Sequence, residues 1–213
     1  MVHSLIVEEL DFRYRAEQPL IDRFSGTFDA GEFVAITGPS GRGKSTLLYM
    51  LGLMLRPDSG RLVIDGRNFS RVSDYEKSKF RAANFGFVFQ DAALDATRTV
   101  LDNVLESALY RGESRSKMVP KAMQLMQNFE VAVRPNAKPG QVSGGQAQRI
   151  ALCRALLGNP GLLLADEPTG NLDSITTTTV IDAMRRQSER GSIVIVVTHD
   201  GSVVAKCDRE IRL

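Results

Sequence analysis

The residues best suited to chemistry lie between 38 and 46, where glycines, a lysine and a serine follow the spacing G-x-x-x-x-G-K-S. Glycine lets several backbone N–H groups wrap an anion, and a helix that begins near Gly43 would direct its positive end at the same anion. Lys44 adds a full charge, and Ser45 places a hydroxyl where Mg²⁺ would lie. A glycine-rich surface turn is the simple alternative, but an apolar strand-like run precedes the pattern and an apolar helix-like run follows it. That order favours a site for nucleotide phosphates.

A second candidate is the pair Asp166 and Glu167, which follows an apolar strand-like run. Because adjacent strand residues face opposite sides, we expect Asp166 to reach a Mg²⁺ ion and Glu167 to face an attacking water. Alone, such a pair is more often a solvated strand exit. An open parallel sheet binds ligands beyond the carboxyl ends of its strands, so the phosphate-binding pattern at another strand end favours the catalytic interpretation.

A third candidate is the turn at residues 142–146, which opens an apolar helix that closes near Gly158. Ser143 is a natural N-cap, but a capped helix explains only one of the two glycines, Gly144 and Gly145. Paired glycines allow a ligand to approach closely. Since this second helix start has no lysine, we expect it to complete a site built around the first one, and it could do so across a dimer interface.

The elements that must position these residues are those of an α/β protein with a mostly parallel sheet. Continuous apolar runs indicate central strands buried on both faces, whereas the N-terminal segments alternate and favour an antiparallel side sheet. We expect Pro120 to disturb one helix and a run of β-branched threonines to oppose another. The predicted strands are residues 4–14, 20–28, 32–37, 61–66, 85–90, 162–165 and 192–197, and the predicted helices are 46–51, 74–84, 99–109, 116–129, 143–158 and 174–190.

Composition excludes several classes of protein. The chain has 213 residues, 43% of them hydrophobic, so we expect one packed domain. Its net charge of +2 is too small to create an overall electrostatic field that attracts nucleic acid. Cys153 and Cys207 fit neither a disulfide framework nor a metal site, which favours a reducing compartment. The longest apolar run, 47–55, is far shorter than the roughly 20 residues of a membrane helix, and residues 1–4 lack signal-peptide character. We therefore expect any membrane contact to go through a partner.

Taken in order, these motifs resemble the nucleotide-binding subunits of ABC transporters, over the stretch from Tyr14 to His199. The resemblance implies that Tyr14 stacks on adenine, that Gln90 ligates Mg²⁺ and senses a membrane subunit, and that His199 contacts the γ-phosphate. Residues 171–173 would form the loop that follows the catalytic carboxylates. Without the resemblance, Tyr14 would more simply be strand packing and His199 a structural hydrogen-bonding group.

The implied site has four sets of residues. Those that bind ATP would be Tyr14, Gly38, Ser40, Gly41, Arg42, Gly43, Lys44, Ser45 and Thr46. The catalytic set would be Lys44, Gln90, Glu167 and His199, and the Mg²⁺ ligands Ser45, Gln90 and Asp166. The set offered to the ATP of a second copy would be Ser143, Gly144, Gly145 and Gln146.

The resemblance also implies an architecture and partners. The fold would be an ABC-type P-loop NTPase core with an N-terminal antiparallel β subdomain and a helical signature subdomain. One domain would cover 1–213, with 1–90 and 150–213 as core and β subdomain and 91–149 as the helical part. The cofactors would be ATP and Mg²⁺. The partners would be a second copy, head to tail, and an integral membrane permease, with the chain cytoplasmic on the inner face of the membrane and no nucleic acid bound.

Within the family, the residues look most like the branch of lipoprotein-release, macrolide-export and cell-division ATPases. Three departures are Val142 in place of leucine, Arg42 at a position usually small, where it would tighten nucleotide binding, and small residues at 91–93 on the surface that faces the partner. A transporter motor and a mechanical subunit that activates an enzyme outside the cell both fit this sequence. A soluble ABC ATPase of DNA repair or translation fits less well, because those proteins carry coiled-coil insertions, zinc modules or two cassettes in one chain.

Overall fold

The computed structural model describes residues 2–14, 19–170 and 172–213. The strands are Ser4–Phe12 (β1), Ile21–Asp29 (β2), Phe33–Thr37 (β3), Ser59–Ile64 (β4), Arg67–Asn68 (β5), Phe85–Val88 (β6), Leu162–Asp166 (β7), Ile193–Val197 (β8) and Arg209–Arg212 (β9). The helices are Lys44–Leu51 (α1), Asp74–Asn84 (α2), Val100–Tyr110 (α3), Arg115–Asn128 (α4), Gly144–Leu156 (α5), Ser174–Glu189 (α6) and Gly201–Val204 (α7), with a 3₁₀ turn at Pro139–Gln141.

Two sheets organise these elements. The central sheet has the order β6-β7-β8-β3-β9 with all pairs parallel, and the side sheet has the order β2-β1-β4-β5 with antiparallel pairs. The predicted α/β class and the antiparallel N-terminal sheet are therefore confirmed. The short strands β5 and β9 were not predicted, because four residues or fewer give too little alternation to recognise.

The central strands β3, β7 and β8 are buried along their whole length, as their continuous apolar sequences predict. Successive side chains of β3 enter different cores. Phe33 and Ala35 pack with the helices of the middle region, while Val34 and Ile36 pack with α1 and the side sheet. Two cores on opposite faces hold the sheet rigid, so the ends of β3 and β7 are fixed relative to each other.

The middle of the chain is helical, as predicted. α4 continues through Pro120, so the expected disturbance is wrong. The hydrogen bond that proline cannot make would have gone to the carbonyl of Ser116, and both residues are exposed, so water can take that position. The division at 149/150 stays a prediction, but α5 runs without a break across it.

Helix α6 forms in spite of its threonines, as predicted. Asp173 caps its start by accepting hydrogen bonds from the N–H groups of Ile175 and Thr176. The hydroxyls of Thr178 and Thr179 donate to carbonyls one turn earlier, at 3.0 and 3.1 Å, so these side chains are satisfied within the helix. Over the described ranges, no helix combines the length and apolar character needed to cross a bilayer.

Candidate active site

The loop between β3 and α1 forms the phosphate-binding pattern. Its residues Gly38, Gly41 and Gly43 have φ values of 138°, 79° and 84°, a left-handed region that favours glycine. A Cβ on Gly38 would lie 2.5 Å from the carbonyl oxygen of Leu213, so the backbone leaves no room for a side chain there. Gly43 is the N-cap of α1 and offers no side-chain cap, which leaves the first N–H groups of the helix available to an anion.

The Lys44 ammonium folds back over this loop. Its Nζ donates hydrogen bonds of 2.9 Å to the carbonyls of both Gly38 and Pro39. An ammonium has three N–H donors, so after these two bonds the described residues leave one donor for an acceptor above the loop. The positive charge is thus fixed where the helix dipole already favours an anion.

Asp166, at the end of β7, joins that strand to helix α1. Its side chain is almost fully buried, and it accepts hydrogen bonds of 3.0 Å from the Ser45 and Tyr49 hydroxyls. Burial raises the pKa of Asp166, while these two hydrogen bonds act in the opposite direction. Burial, together with the Asp166 charge, raises the pKa of Tyr49 to about 12.

The sequence reasoning missed Tyr49. A signal was present, because Tyr49 follows Ser45 by four residues on α1 and so shares its helix face. Any side chain at that position faces the end of β7, and a tyrosine can reach the carboxylate.

Glu167 does not lie in a strand. Its φ of 44° is left-handed, and its N–H donates to the carbonyl of Val197 at 2.9 Å, so the chain turns sharply after Asp166. The two carboxylates contact different partners, Asp166 the Ser45 hydroxyl and Glu167 the His199 ring, but the turn and not strand alternation separates them, and their division of roles stays a prediction. A left-handed glutamate is strained, and such strain is concentrated at functional sites.

The turn brings the Glu167 carboxylate against His199. Glu167 Oε1 and His199 Nδ1 are 2.9 Å apart, and the hydrogen bond and charge of Glu167 raise the pKa of His199. Glu167 is mostly buried, at 15% side-chain exposure, whereas His199 is 78% exposed. The carboxylate is therefore held in place while the imidazole faces the solvent side of the pocket.

These groups surround one pocket of about 550 Å³, a size suited to a small ligand. Its wall combines one lysine, hydroxyls, loop glycines, an amide and a carboxylate, a set that matches a phosphate chain. The residues that line it are Leu20, Gly38, Ser40, Gly41, Gly43, Lys44, Ser45, Thr46, Gln90, Glu167, Gly170, Val197 and His199. Leu20, Gly170 and Val197 were not predicted.

The neighbouring groups fit a Mg²⁺ ion. The Ser45 hydroxyl, the Gln90 side chain and the Asp166 carboxylate supply oxygen donors, and Mg²⁺ is typically held by one or two carboxylates together with phosphate and water. Ser45 and Asp166 already contact each other, and Gln90 lines the same pocket as Ser45.

Tyr14 and Arg42 lie at the margin of the pocket. The Tyr14 ring is 66% exposed, its hydroxyl is 3.2 Å from the Thr46 Oγ1, and its edge packs on Phe12 with ring centres 4.9 Å apart. A largely exposed aromatic ring next to the loop suits stacking on a base. Arg42 is exposed on the same loop.

The residues from Ser143 to Gln146 are not brought to this pocket. The Ser143 hydroxyl accepts from the Gln146 N–H at 3.3 Å, and the Gln146 side chain accepts from the Ser143 N–H at 2.9 Å, a capping box that starts α5. Gly144 has no left-handed φ, and a Cβ built on it meets nothing within 4 Å. A Cβ on Gly145 would make ordinary contact with Leu172 at 3.6 Å. Contacts within the part of the chain that the structure describes therefore give no reason for the paired glycines. Of the predicted loop 171–173, residue Asn171 lies outside the described residues.

Fold and pocket together define a P-loop nucleotide-binding ATPase with a parallel core sheet. The chain belongs to the ABC transporter family, whose sequence profile matches residues 21–170. It is accordingly an ATPase and an ATP-binding subunit of this family.

Two relatives show how much of this chain, and how much of a related protein, the similarity covers. The lipoprotein-releasing system ATP-binding protein LolD of Paramagnetospirillum magneticum is 40% identical over 185 residues, which are 86% of this chain and 82% of LolD. The macrolide export ATP-binding/permease protein MacB of Rhodopirellula baltica is 39% identical over 198 residues, which are 92% of this chain and 29% of MacB. The chain thus spans most of LolD and less than a third of MacB.

Solved structures agree with this family assignment. The cassette MJ0796, in a dimeric post-hydrolysis state bound to ADP and phosphate, has a TM-score of 0.92 at 34% identity, covering 98% of this chain and 94% of that one. A bacterial Atm1-family ABC exporter with ATP bound has a TM-score of 0.83 at 30% identity, covering all of this chain and 37% of the exporter.

Proposed function

We propose that this chain is the motor subunit of an ABC transport complex, in which ATP closes two copies head to tail and thereby moves a separate membrane permease. The observation that carries the proposal is the separation of the two halves of the site. Lys44, Ser45, Glu167 and His199 surround one pocket, while the Ser143 helix start lies elsewhere, with glycines that no contact among the described residues explains. A second copy would bring its own helix start to this pocket.

Positioning and charge account for the proposed catalysis. Lys44 and the N–H groups of the loop hold the phosphates and offset their charge, and Mg²⁺, when bound, would neutralise the β- and γ-phosphates. Glu167 orients a water and takes its proton, because its carboxylate is fixed by the turn and by His199. His199 also supports the γ-phosphate from the exposed side of the pocket.

The permease would dock in a groove between α2, β6, α3 and α5. Its lining mixes aromatic and charged side chains, including Phe85, Phe89, Arg81 and Glu106, and the loop that carries Gln90 borders it. Gln90 would therefore link the groove to the pocket. LolD, a relative of comparable length, is named as the ATP-binding protein of a releasing system, which supports a separate permease and a location on the cytoplasmic face of the membrane.

The test compares ATP hydrolysis by the wild type and by Glu167→Gln, with and without the membrane protein that copurifies. Loss of the base should lower kcat by about 100-fold or more while ATP binding persists, and ATP should then trap a dimer. Normal hydrolysis by Glu167→Gln would refute the assigned base. Stable binding to DNA or ribosomes without a membrane partner would refute the motor role. A membrane partner that moves no solute would favour the mechanical signalling alternative.

A further inference from the structure

The segment that follows Gln90 has an unusual backbone. Ala92 and Ala93 have φ values of 60° and 45°, so two consecutive alanines adopt the left-handed conformation. A Cβ disfavours this region, and side chains with hydrogen-bonding groups visit it more readily than alanine does. Surrounding contacts must therefore hold the turn.

A buried arginine on α5 supplies these contacts. Arg154 is 7% exposed, and the two terminal nitrogens of its guanidinium each donate a 2.8 Å hydrogen bond, one to the carbonyl of Ala92 and the other to that of Ala93. Glu106 on α3 lies 3.5 Å away and offsets part of the buried charge. The planar guanidinium suits two adjacent acceptors, which a lysine would not match.

A second side chain of the same helix fixes the backbone immediately before Gln90. The Gln148 amide, which is 5% exposed, donates a 3.1 Å hydrogen bond to the carbonyl of Phe89. Gln90 therefore lies between carbonyls that α5 fixes on both sides.

We infer that Arg154, with Gln148, is a positioning residue that makes the Gln90 segment and the Ser143 helix start move as one unit. Arg154 lies eleven residues after the N-cap Ser143 on one helix, a distance of about 16 Å. A displacement of the Gln90 segment therefore shifts the helix that carries Ser143. The meaning of this movement for ATP rests on the proposed function, but the clamp itself does not.

The clamp also touches the groove assigned to the permease. Ala93, Glu106 and Arg154 all line that groove. A protein segment seated there would press on the groups that fix the Gln90 turn, so the partner, Gln90 and the helix start share one mechanical connection.

The experiment removes the guanidinium and keeps the volume. Arg154→Met should speed amide hydrogen exchange of residues 90–95 in the nucleotide-free protein by about tenfold or more, because the turn loses its hydrogen bonds. In ATP hydrolysis, kcat should fall about tenfold with KM unchanged. Arg185→Met is the control, since Arg185 also makes two hydrogen bonds, to Asp208, but lies outside the pocket and the groove. Unchanged exchange at 90–95 would overturn the clamp.

A rescue separates positioning from packing. Glycine adopts left-handed φ without a steric penalty. Adding Ala92→Gly and Ala93→Gly to Arg154→Met should therefore raise kcat several-fold above that of Arg154→Met alone. If the triple variant stays as slow as Arg154→Met, holding the left-handed turn is not what Arg154 contributes, and the inference fails. The exchange measurement needs no ATP, so its outcome is independent of whether Glu167→Gln supports the proposed function.

Discussion

The contact between Glu167 and His199 makes a measurable prediction at the level of single residues. Because the carboxylate stabilises the imidazolium, the pKa of His199 should lie above the usual 6.5 in the folded protein. A raised pKa means that the contact stabilises the fold fully below pH 6.5, and that this contribution is lost as pH rises through the folded value. NMR titration of the imidazole should show the raised pKa, and Glu167→Gln should lower it.

The chain simplifies this measurement. It contains two histidines, so His3→Gln assigns both imidazole signals without further labelling. A His199 pKa at or below 6.5 in the wild type, or one that Glu167→Gln leaves unchanged, would contradict the contact.

The second prediction for single residues concerns the Tyr49 hydroxyl. Tyr49→Phe removes a hydrogen bond to the buried Asp166 carboxylate and should lower the free energy of unfolding by about 1 kcal/mol. It should also raise the pKa of Asp166, since this hydrogen bond favours the ionised form. Chemical denaturation at neutral pH measures the first effect. Tyr75→Phe is the matched control, because the Tyr75 side chain is 77% exposed and should change stability very little.

At the level of elements, Gly144 allows stability and function to be separated. A Cβ there meets nothing within 4 Å and the φ is not left-handed, so Gly144→Ala should raise the free energy of unfolding by about 0.5 kcal/mol. If the α5 start approaches the ATP of a second copy, the same methyl group should lower kcat by about tenfold.

Gly140→Ala is the control for this prediction. Gly140 also has open space around a built Cβ and no left-handed φ, but it lies in the 3₁₀ turn before the capped helix. It should leave kcat unchanged. A Gly144→Ala protein that is both stable and fully active would show that the glycine does not approach a ligand.

The elements were predictable where periodicity and caps agree. Helix α2 begins and ends at the predicted residues, because Ser73 caps it and the strand-forming Phe85 follows it. The positive φ of Glu167 and of the two alanines at 92–93 could not be predicted, since these backbone conformations depend on partners distant in sequence. The sequence also predicted Ser45 and Asp166 as neighbours, whereas Tyr49, which donates to the same carboxylate, was missed although it shares the helix face of Ser45.

At the level of the whole molecule, sheet topology determines the site. The Cα atoms of Asp166 and Val197 are paired at the ends of β7 and β8, and β3 pairs with β8 on its other side. The carboxyl ends of three parallel strands therefore deliver the phosphate loop, the carboxylates and His199 to one edge. This edge was predictable from the order of strands and motifs. The position of the Ser143 helix start was not, because it depends on how the helices of the middle region pack.

Binding of nucleotide to this edge should appear in the stability of the entire chain. A ligand at about 100 times its dissociation constant adds about 2.7 kcal/mol to the folded state, which for a domain of this length raises Tm by about 5–10 °C. Glu167→Gln with Mg²⁺ and ATP is the appropriate sample, because hydrolysis would otherwise deplete the ligand. Lys44→Ala should abolish most of the shift by removing the ammonium over the loop.

The same experiment tests assembly. If two copies share each ATP, only the folded dimer binds it fully, so Tm with ATP should rise with protein concentration while Tm without nucleotide stays constant. Gly144→Ala in the Glu167→Gln protein should weaken this dependence on concentration, because it alters the surface offered to the other copy. The contrary result is a Tm with ATP that stays constant while protein concentration changes by about a hundredfold. It would mean that each chain binds its nucleotide alone, and the head-to-tail motor would then have to be abandoned.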